Sequence, residues 1–118
     1  MKKIVVAGSR NYNNYEEAKI FISKCLKEQS DKDIVFISGN CRGADMLGKR
    51  FAEEFGYNVE VYPAEWPKYG KAAGPLRNKK MSEVCDFVIC FWDGKSKGSA
   101  TMIEFAKKLN KPVIVKYI

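Results

Sequence analysis

Three short stretches of this chain bring glycine, hydroxyl and cation together: Gly8-Ser9-Arg10, Ser38-Gly39-Asn40-Cys41-Arg42-Gly43-Ala44-Asp45, and Asp93-Gly94-Lys95-Ser96-Lys97-Gly98-Ser99. Glycine lets backbone amides come close to an anion, and hydroxyls donate to phosphate oxygens. A helix starting just after such a stretch adds exposed N–H groups that carry about half a positive charge. A single stretch of this kind needs no explanation beyond a strand-to-helix turn. Three that converge, carrying Arg10, Arg42, Lys95 and Lys97, have the makings of a phosphate cradle. None fits G-x-x-x-x-G-K-[ST], and none fits G-x-G-x-x-G with its downstream acid, so nucleoside triphosphatase and dinucleotide dehydrogenase chemistry lose support and no cofactor is expected. The chain contains no histidine, which excludes Ser-His-Asp and Cys-His catalysis and histidine metal sites. Cys25, Cys41, Cys85 and Cys90 form no C-x-x-C pair, so no metal site is expected either. If bond cleavage occurs here, Asp45 and Asp93 are the carboxylates at hand to carry it.

These stretches need a scaffold. At 118 residues, with 46% hydrophobic and 30% charged, the chain suits a single compact domain spanning 1–118. Lys3 to Ala7 is a β-branched apolar run stopped by Gly8, as in a strand buried on both faces. Asn14 is a fitting N-cap for a helix from Tyr15 to about Glu28, where Ala18, Phe21, Ile22 and Cys25 form one stripe. A strand over Asp33–Ile37 and a helix over Gly43–Phe55, stopped by Gly56, repeat the pattern. A strand over Asn58–Tyr62, a helix over Pro75–Val84, a strand over Asp86–Phe91, a helix over Gly98–Leu109 and a strand over Pro112–Val115 complete it. Alternation of this kind predicts a Rossmann-like three-layer α/β fold with a five-stranded parallel sheet ordered 3-2-1-4-5. Ligands then bind at the carboxyl ends of the strands, beside the switch between the first and fourth. The long connection Pro63–Gly74 overhangs that edge. Its Trp66 either covers a base or anchors the loop on the rim of the core.

The net charge of +7, from 21 basic and 14 acidic residues, attracts phosphates on small nucleotides, nucleic acid or anionic lipid, unless it is only a solvated lysine-rich face. No apolar run approaches the roughly 20 residues of a membrane helix. The first apolar run ends at Gly8, so no signal pattern is seen and a cytoplasmic setting is expected. There, reduced thiols at Cys25, Cys85 and Cys90 would be buried, and Cys41 would lie in a loop open to reaction.

Taken in order, GSR, SGNCRGAD, RNKKM and DGKSKGSATMIEFA resemble the SLOG superfamily, and within it the small YspA-like branch. The resemblance spans nearly the whole chain. It implies a Rossmann-like fold and a nucleotide or nucleotide-derived ligand of phosphoribosyl or ADP-ribosyl type. LOG-type phosphoribohydrolases of that superfamily cut the N-glycosidic bond of a nucleoside monophosphate. Arg77, four positions before Met81, matches the arginine of their R-K-x-x-M motif, with Asn78 in place of the lysine. Gly98 and Ser99 match the G-T of P-G-G-x-G-T-x-x-E, and the catalytic glutamate position falls on Met102. Methionine neither activates water nor stabilises positive charge. Glu104, two residues on, is turned about 200° around the helix and does not replace it.

Three readings follow. In the first, the protein binds a phosphorylated nucleoside derivative as sensor, carrier or sequestering protein. Gly8, Ser9 and Arg10 touch phosphate or ribose, Gly39, Arg42 and Gly43 supply donors, Arg77 makes a bidentate phosphate contact, and Gly98 and Ser99 cradle a phosphate. Ser38, Asp45, Trp66, Asp93 and Lys97 complete the candidate set. In the second, Asp45 or Asp93 takes over the missing glutamate's role in an N-glycosidase or transferase, with Arg77 stabilising the departing phosphosugar. In the third, resemblance to the superfamily's DNA-processing protein DprA suggests single-stranded DNA binding along Trp66, Tyr69, Lys71, Lys79 and Lys80. The LOG-type relatives also imply a homodimer.

Overall fold

The computed structural model describes residues 2–28 and 33–118. Its strands are β1 (Lys2–Gly8), β2 (Ile34–Ser38), β3 (Asn58–Val61), β4 (Phe87–Trp92) and β5 (Val113–Tyr117). Its helices are α1 (Tyr15–Lys27), α2 (Ala44–Phe55), α3 (Trp66–Tyr69), α4 (Ala73–Val84) and α5 (Lys97–Lys108). All strand pairs are parallel, in the order β3-β2-β1-β4-β5. This is the Rossmann-like arrangement predicted from the alternation of strand and helix.

Alternation along each strand divides the core between two faces. Ile4 and Val6 of β1, Phe36 of β2, and Phe87, Ile89 and Phe91 of β4 pack with Ala18 and Ile22 of α1 and Leu47 and Phe51 of α2. Val5, Ala7, Ile37, Val88 and Cys90 pack instead with Met81 of α4 and Met102, Ile103 and Ala106 of α5. Both faces are covered, which is why the central strands read as unbroken apolar runs. Each buried Val, Leu, Ile, Phe or Met among them contributes roughly 1.5–3 kcal/mol by leaving water. The register pairs Ala7 with Cys90 and Gly8 with Phe91, so β1 and β4 end level with each other at the switch point. Gly8 has φ +149°, and a Cβ there would lie 2.2 Å from the Phe91 carbonyl oxygen. Only glycine lets the chain leave β1 so close to β4.

Asn14 caps α1 as expected, its side chain accepting from the Glu17 N–H at 3.2 Å. The Tyr15 hydroxyl donates to Glu54 of α2, and Arg50 lies 3.8 Å over the Tyr15 ring. Cys25, Cys85 and Cys90 are buried and Cys41 is partly exposed. The strands β2, β4 and β5 run one or two residues further at their carboxyl ends than their apolar runs suggest, since ladder pairing reaches Ser38, Trp92 and Tyr117. The helix expected at Pro75 begins at Ala73. Pro75 is still in its first turn, where a missing N–H costs nothing. The connection Pro63–Gly74 is not an open loop. It holds α3 with Pro67 in its first turn, followed by a 3-10 turn over Gly70–Ala72.

Candidate functional site

The predicted edge of the sheet carries a cavity of about 350 Å³ at the ends of β1 and β4, beneath the start of α5. The loop after β4 is fastened to the loop after β1 by hydroxyls. The Asp93 carboxylate accepts the N–H groups of Lys95 and Ser96, each at 2.8 Å, and the Ser96 hydroxyl at 3.0 Å. Ser9 Oγ stands 3.2 Å from Ser96 Oγ and accepts the Asp93 N–H at 3.3 Å. Those donated hydrogen bonds, the backbone ones foremost, hold the Asp93 carboxyl down at about 2. Asp93 is therefore a charged turn fastener, and its oxygens are committed to the loop.

With its hydroxyl engaged there, Ser96 makes no capping hydrogen bond to the first turn of α5. That turn begins Lys97-Gly98-Ser99, and all three residues line the cavity. The first N–H groups of a helix have no partner within it, so this end offers donors and the positive end of the dipole. Ser99 is 4% exposed and its Oγ has no hydrogen-bond partner. It lies close enough to the Cys90 thiol to lower that group's pKa against burial, which pushes it up to about 12, but no hydrogen bond within ordinary limits of distance and angle joins the two. A buried hydroxyl without a partner costs roughly 1–3 kcal/mol, so this one points to a group that arrives from outside.

Arg77 ties the second loop to α4. Its Nη1 donates to the Gly39 carbonyl at 2.6 Å, its Nη2 to Cys41 Sγ at 3.3 Å and its Nε to Asn78 Oδ1 at 2.8 Å. Asn78 in turn donates to the Gly98 carbonyl at 3.2 Å. Three of the five guanidinium N–H groups are thus spent within the chain, leaving two. Arg77 thus organises the second loop and keeps two N–H groups for a further acceptor. Asp45, in the first turn of α2, is 6% exposed. Burial raises its pKa to about 6, against the opposing pull of Arg77, the N–H of Cys41 and Arg10. It is the carboxylate in the cavity whose proton is exchanged near neutral pH.

The structure brings together at the cavity wall Gly8, Ser9, Arg10, Arg42, Asp45, Arg77, Asp93, Lys97, Gly98 and Ser99. Ser38, Gly39 and Gly43 lie behind it. Ser38 Oγ accepts the Asn40 N–H at 3.1 Å. A Cβ on Gly39 would meet Arg77 Nη1 at 2.6 Å and Asp45 Oδ2 at 2.7 Å, and one on Gly43 would meet the Ser9 carbonyl at 2.4 Å. Trp66 is placed away from the cavity. It is 46% exposed, is absent from the cavity wall, and rests its ring over Gly74, because α3 turns it along the outside of α4. Met102 is 1% exposed and, with Met81 and Ala7, supplies the apolar part of the cavity lining. Glu104 is exposed, as its angular offset requires. Sequence reasoning missed Asn11, Cys41, Asn78 and Ser96 among the polar wall residues. Asn78 carried a signal: it precedes Met81 by three on the buried face of α4. Among the described residues no group of three or more His, Cys, Asp or Glu could hold a metal, and no helix is long and apolar enough to cross a membrane.

A family model described as YspA, cpYpsA-related SLOG (YAcAr) matches residues 2–69. The chain belongs to this SLOG family. The "Gene 61 protein" of Mycobacterium phage D29 is 32% identical over 120 residues, covering 97% of this chain and 95% of that protein. The match to the YAcAr model takes in the first two glycine-bearing loops, and the phage relative extends the likeness over α4, the third loop and α5. Among solved structures, DNA processing protein A (DprA) from Streptococcus pneumoniae has a TM-score of 0.74 at 20% identity, over 97% of this chain. The chain spans 49% of that DprA chain. The structural-genomics structure TM1055 has a TM-score of 0.69 at 22% identity, covering 96% of this chain and 72% of that one. At such identities these two structures establish the shared fold.

Proposed function

We propose that this SLOG protein binds a phosphorylated nucleoside or a related nucleotide-derived ligand, with a phosphate at the first turn of α5, and serves to sense, carry or sequester it. The observation that carries the reading is Ser99: a buried hydroxyl without a partner, beside uncapped helix N–H groups. Arg10, Arg42 and Lys97 on the same wall supply the countercharge. Retention is favoured over cleavage because Met102 stands at the glutamate position and Asp93 is committed to its turn. Asp45 remains as the carboxylate for a glycosidic cleavage. Native mass spectrometry of freshly purified protein, repeated after incubation with nucleoside monophosphates, tests this. An intact nucleotide retained and returned unchanged is the expected result. Free base or ribose phosphate accumulating with time would replace binding with hydrolysis.

The exposure of Trp66, Tyr69, Lys71, Lys79 and Lys80 on α3, the turn after it and α4 favours a second reading, a strand of nucleic acid tracking along that side. Oligonucleotide affinity that falls steeply with added salt would support it. Affinity that disappears at physiological salt would remove it.

A further inference from the structure

A second groove, of about 460 Å³, opens at the carboxyl end of β3 between α3 and α4. Its wall is chemically unlike that of the cavity. The cavity is lined by four cations against the two carboxylates Asp45 and Asp93, with hydroxyls, amides and small residues; its apolar surface comes from Ala7, Met81 and Met102, and it contains no aromatic ring. The groove presents Tyr62, Pro63, Tyr69 and Leu76, with the charged residues Glu65 and Lys80 also on its wall. Tyr69 and Leu76 are 43% and 46% exposed. Arg77 belongs to both walls, so it forms the boundary between them.

We infer that the groove takes the base of the ligand whose phosphate sits at α5, so that a nucleotide is held at its two ends across Arg77. This rests on the reading of the cavity given above. A phosphate needs donors and positive charge, which the cavity concentrates. A planar heterocycle needs a flat apolar face, which the cavity lacks and the two tyrosines supply. Lys80 Nζ lies over the Tyr62 ring, 5.8 Å from its centroid, and Lys68 Nζ over the Tyr69 ring, 5.0 Å from its centroid, so each ring has a cation on one face and the base stacks on the other. Arg77 lines both walls and keeps two N–H groups beyond its internal bonds, donors for the hydroxyl oxygens of the sugar that spans them. The ligand class is a nucleoside phosphate, with recognition divided between a polar pocket for the phosphate and an aromatic groove for the base.

Calorimetric titration with ribose 5-phosphate and with AMP, GMP, CMP and UMP separates the two ends. The experiment uses the full chain and its Tyr69→Ala and Tyr69→Phe variants. At least one nucleotide is expected to bind more tightly than ribose 5-phosphate. Tyr69→Ala should weaken that nucleotide about tenfold or more, the usual effect of losing one stacking face, and leave ribose 5-phosphate within about twofold. Tyr69→Phe should restore the nucleotide affinity, since the ring is kept. The unchanged ribose 5-phosphate affinity also shows that the variant is folded. If nucleotides and ribose 5-phosphate bind alike, or Tyr69→Ala weakens both equally or neither, the groove does not hold the base, while the phosphate site stands. If no nucleotide binds at all, the cavity reading itself fails and the groove assignment falls with it.

Discussion

Replacing Asp45 by asparagine keeps the shape of the side chain and removes its charge, and the consequence depends on pH in a way the structure specifies. The native carboxyl titrates at about 6 because burial outweighs the pull of Arg77 and the loop N–H groups. In the unfolded chain it titrates near its ordinary value of about 3.9. Between those values the folded state binds the proton more tightly than the unfolded state does. The stability linked to that proton is complete below about pH 4 and is lost as pH rises through 6. A gap of roughly two pKa units at 1.36 kcal/mol each gives about 3 kcal/mol. The asparagine of the Asp45→Asn variant has no proton to lose. The stability of the variant relative to the natural protein should therefore rise by about 3 kcal/mol from pH 4 to pH 8. Other carboxylates, Asp93 and Glu54 among them, titrate in both proteins and cancel in the difference. Urea unfolding of the two proteins at unit pH steps reads this directly. With a slope of about 1.5 kcal/mol per molar urea, the midpoint difference should shift by about 2 M across the range. A midpoint difference that stays flat between pH 4 and pH 8 would mean that Asp45 titrates as a solvated carboxyl. The desolvation of the cavity wall around it would then be refuted.

Ser99→Ala removes the hydroxyl without a partner and should stabilise the unliganded protein by about 1 kcal/mol, read as a raised urea midpoint, while weakening ribose 5-phosphate binding about tenfold in calorimetry. A lowered midpoint would show that the hydroxyl already has a partner. Gly8→Ala sets a Cβ 2.2 Å from the Phe91 carbonyl and should cost about 3 kcal/mol or more, because two paired strands must part. A loss under about 1 kcal/mol in urea would contradict that packing. The atoms nearest a Cβ at Gly39→Ala belong to the Arg77 guanidinium and the Asp45 carboxylate, side chains and not backbone. The substitution should therefore cost less stability than Gly8→Ala and yet lower ligand affinity about tenfold, by displacing both groups. Affinity at the natural level would show that their positions do not matter to the ligand.

The apolar runs Ile4–Ala7 and Phe87–Phe91 and the helical stripes between strands determine the sheet, its parallel sense and its order, because periodicity and connection handedness are local or topological constraints. The same constraints place Gly8, Ser9, Arg42, Gly98 and Ser99 at one edge, and composition makes that edge basic. What the individual groups do there depends on partners distant in sequence. Asp93 looks like a free acid until its own loop and Ser9 occupy it, and Arg77 looks like a free phosphate ligand until Gly39 and Cys41, more than 30 residues away, accept its N–H groups. The perturbed titration of Asp45 and the empty hydrogen-bonding capacity of Ser99 likewise come from burial by other elements. Trp66 and Tyr69 read alike in sequence, as aromatics in one connection. A single turn of helix sends Trp66 onto the outside of α4 and Tyr69 into the groove beside Arg77. Hydrophobic pattern is a property of a segment, while hydrogen-bond satisfaction and desolvation belong to the assembled surface, so the first is legible in the chain and the second only in the fold.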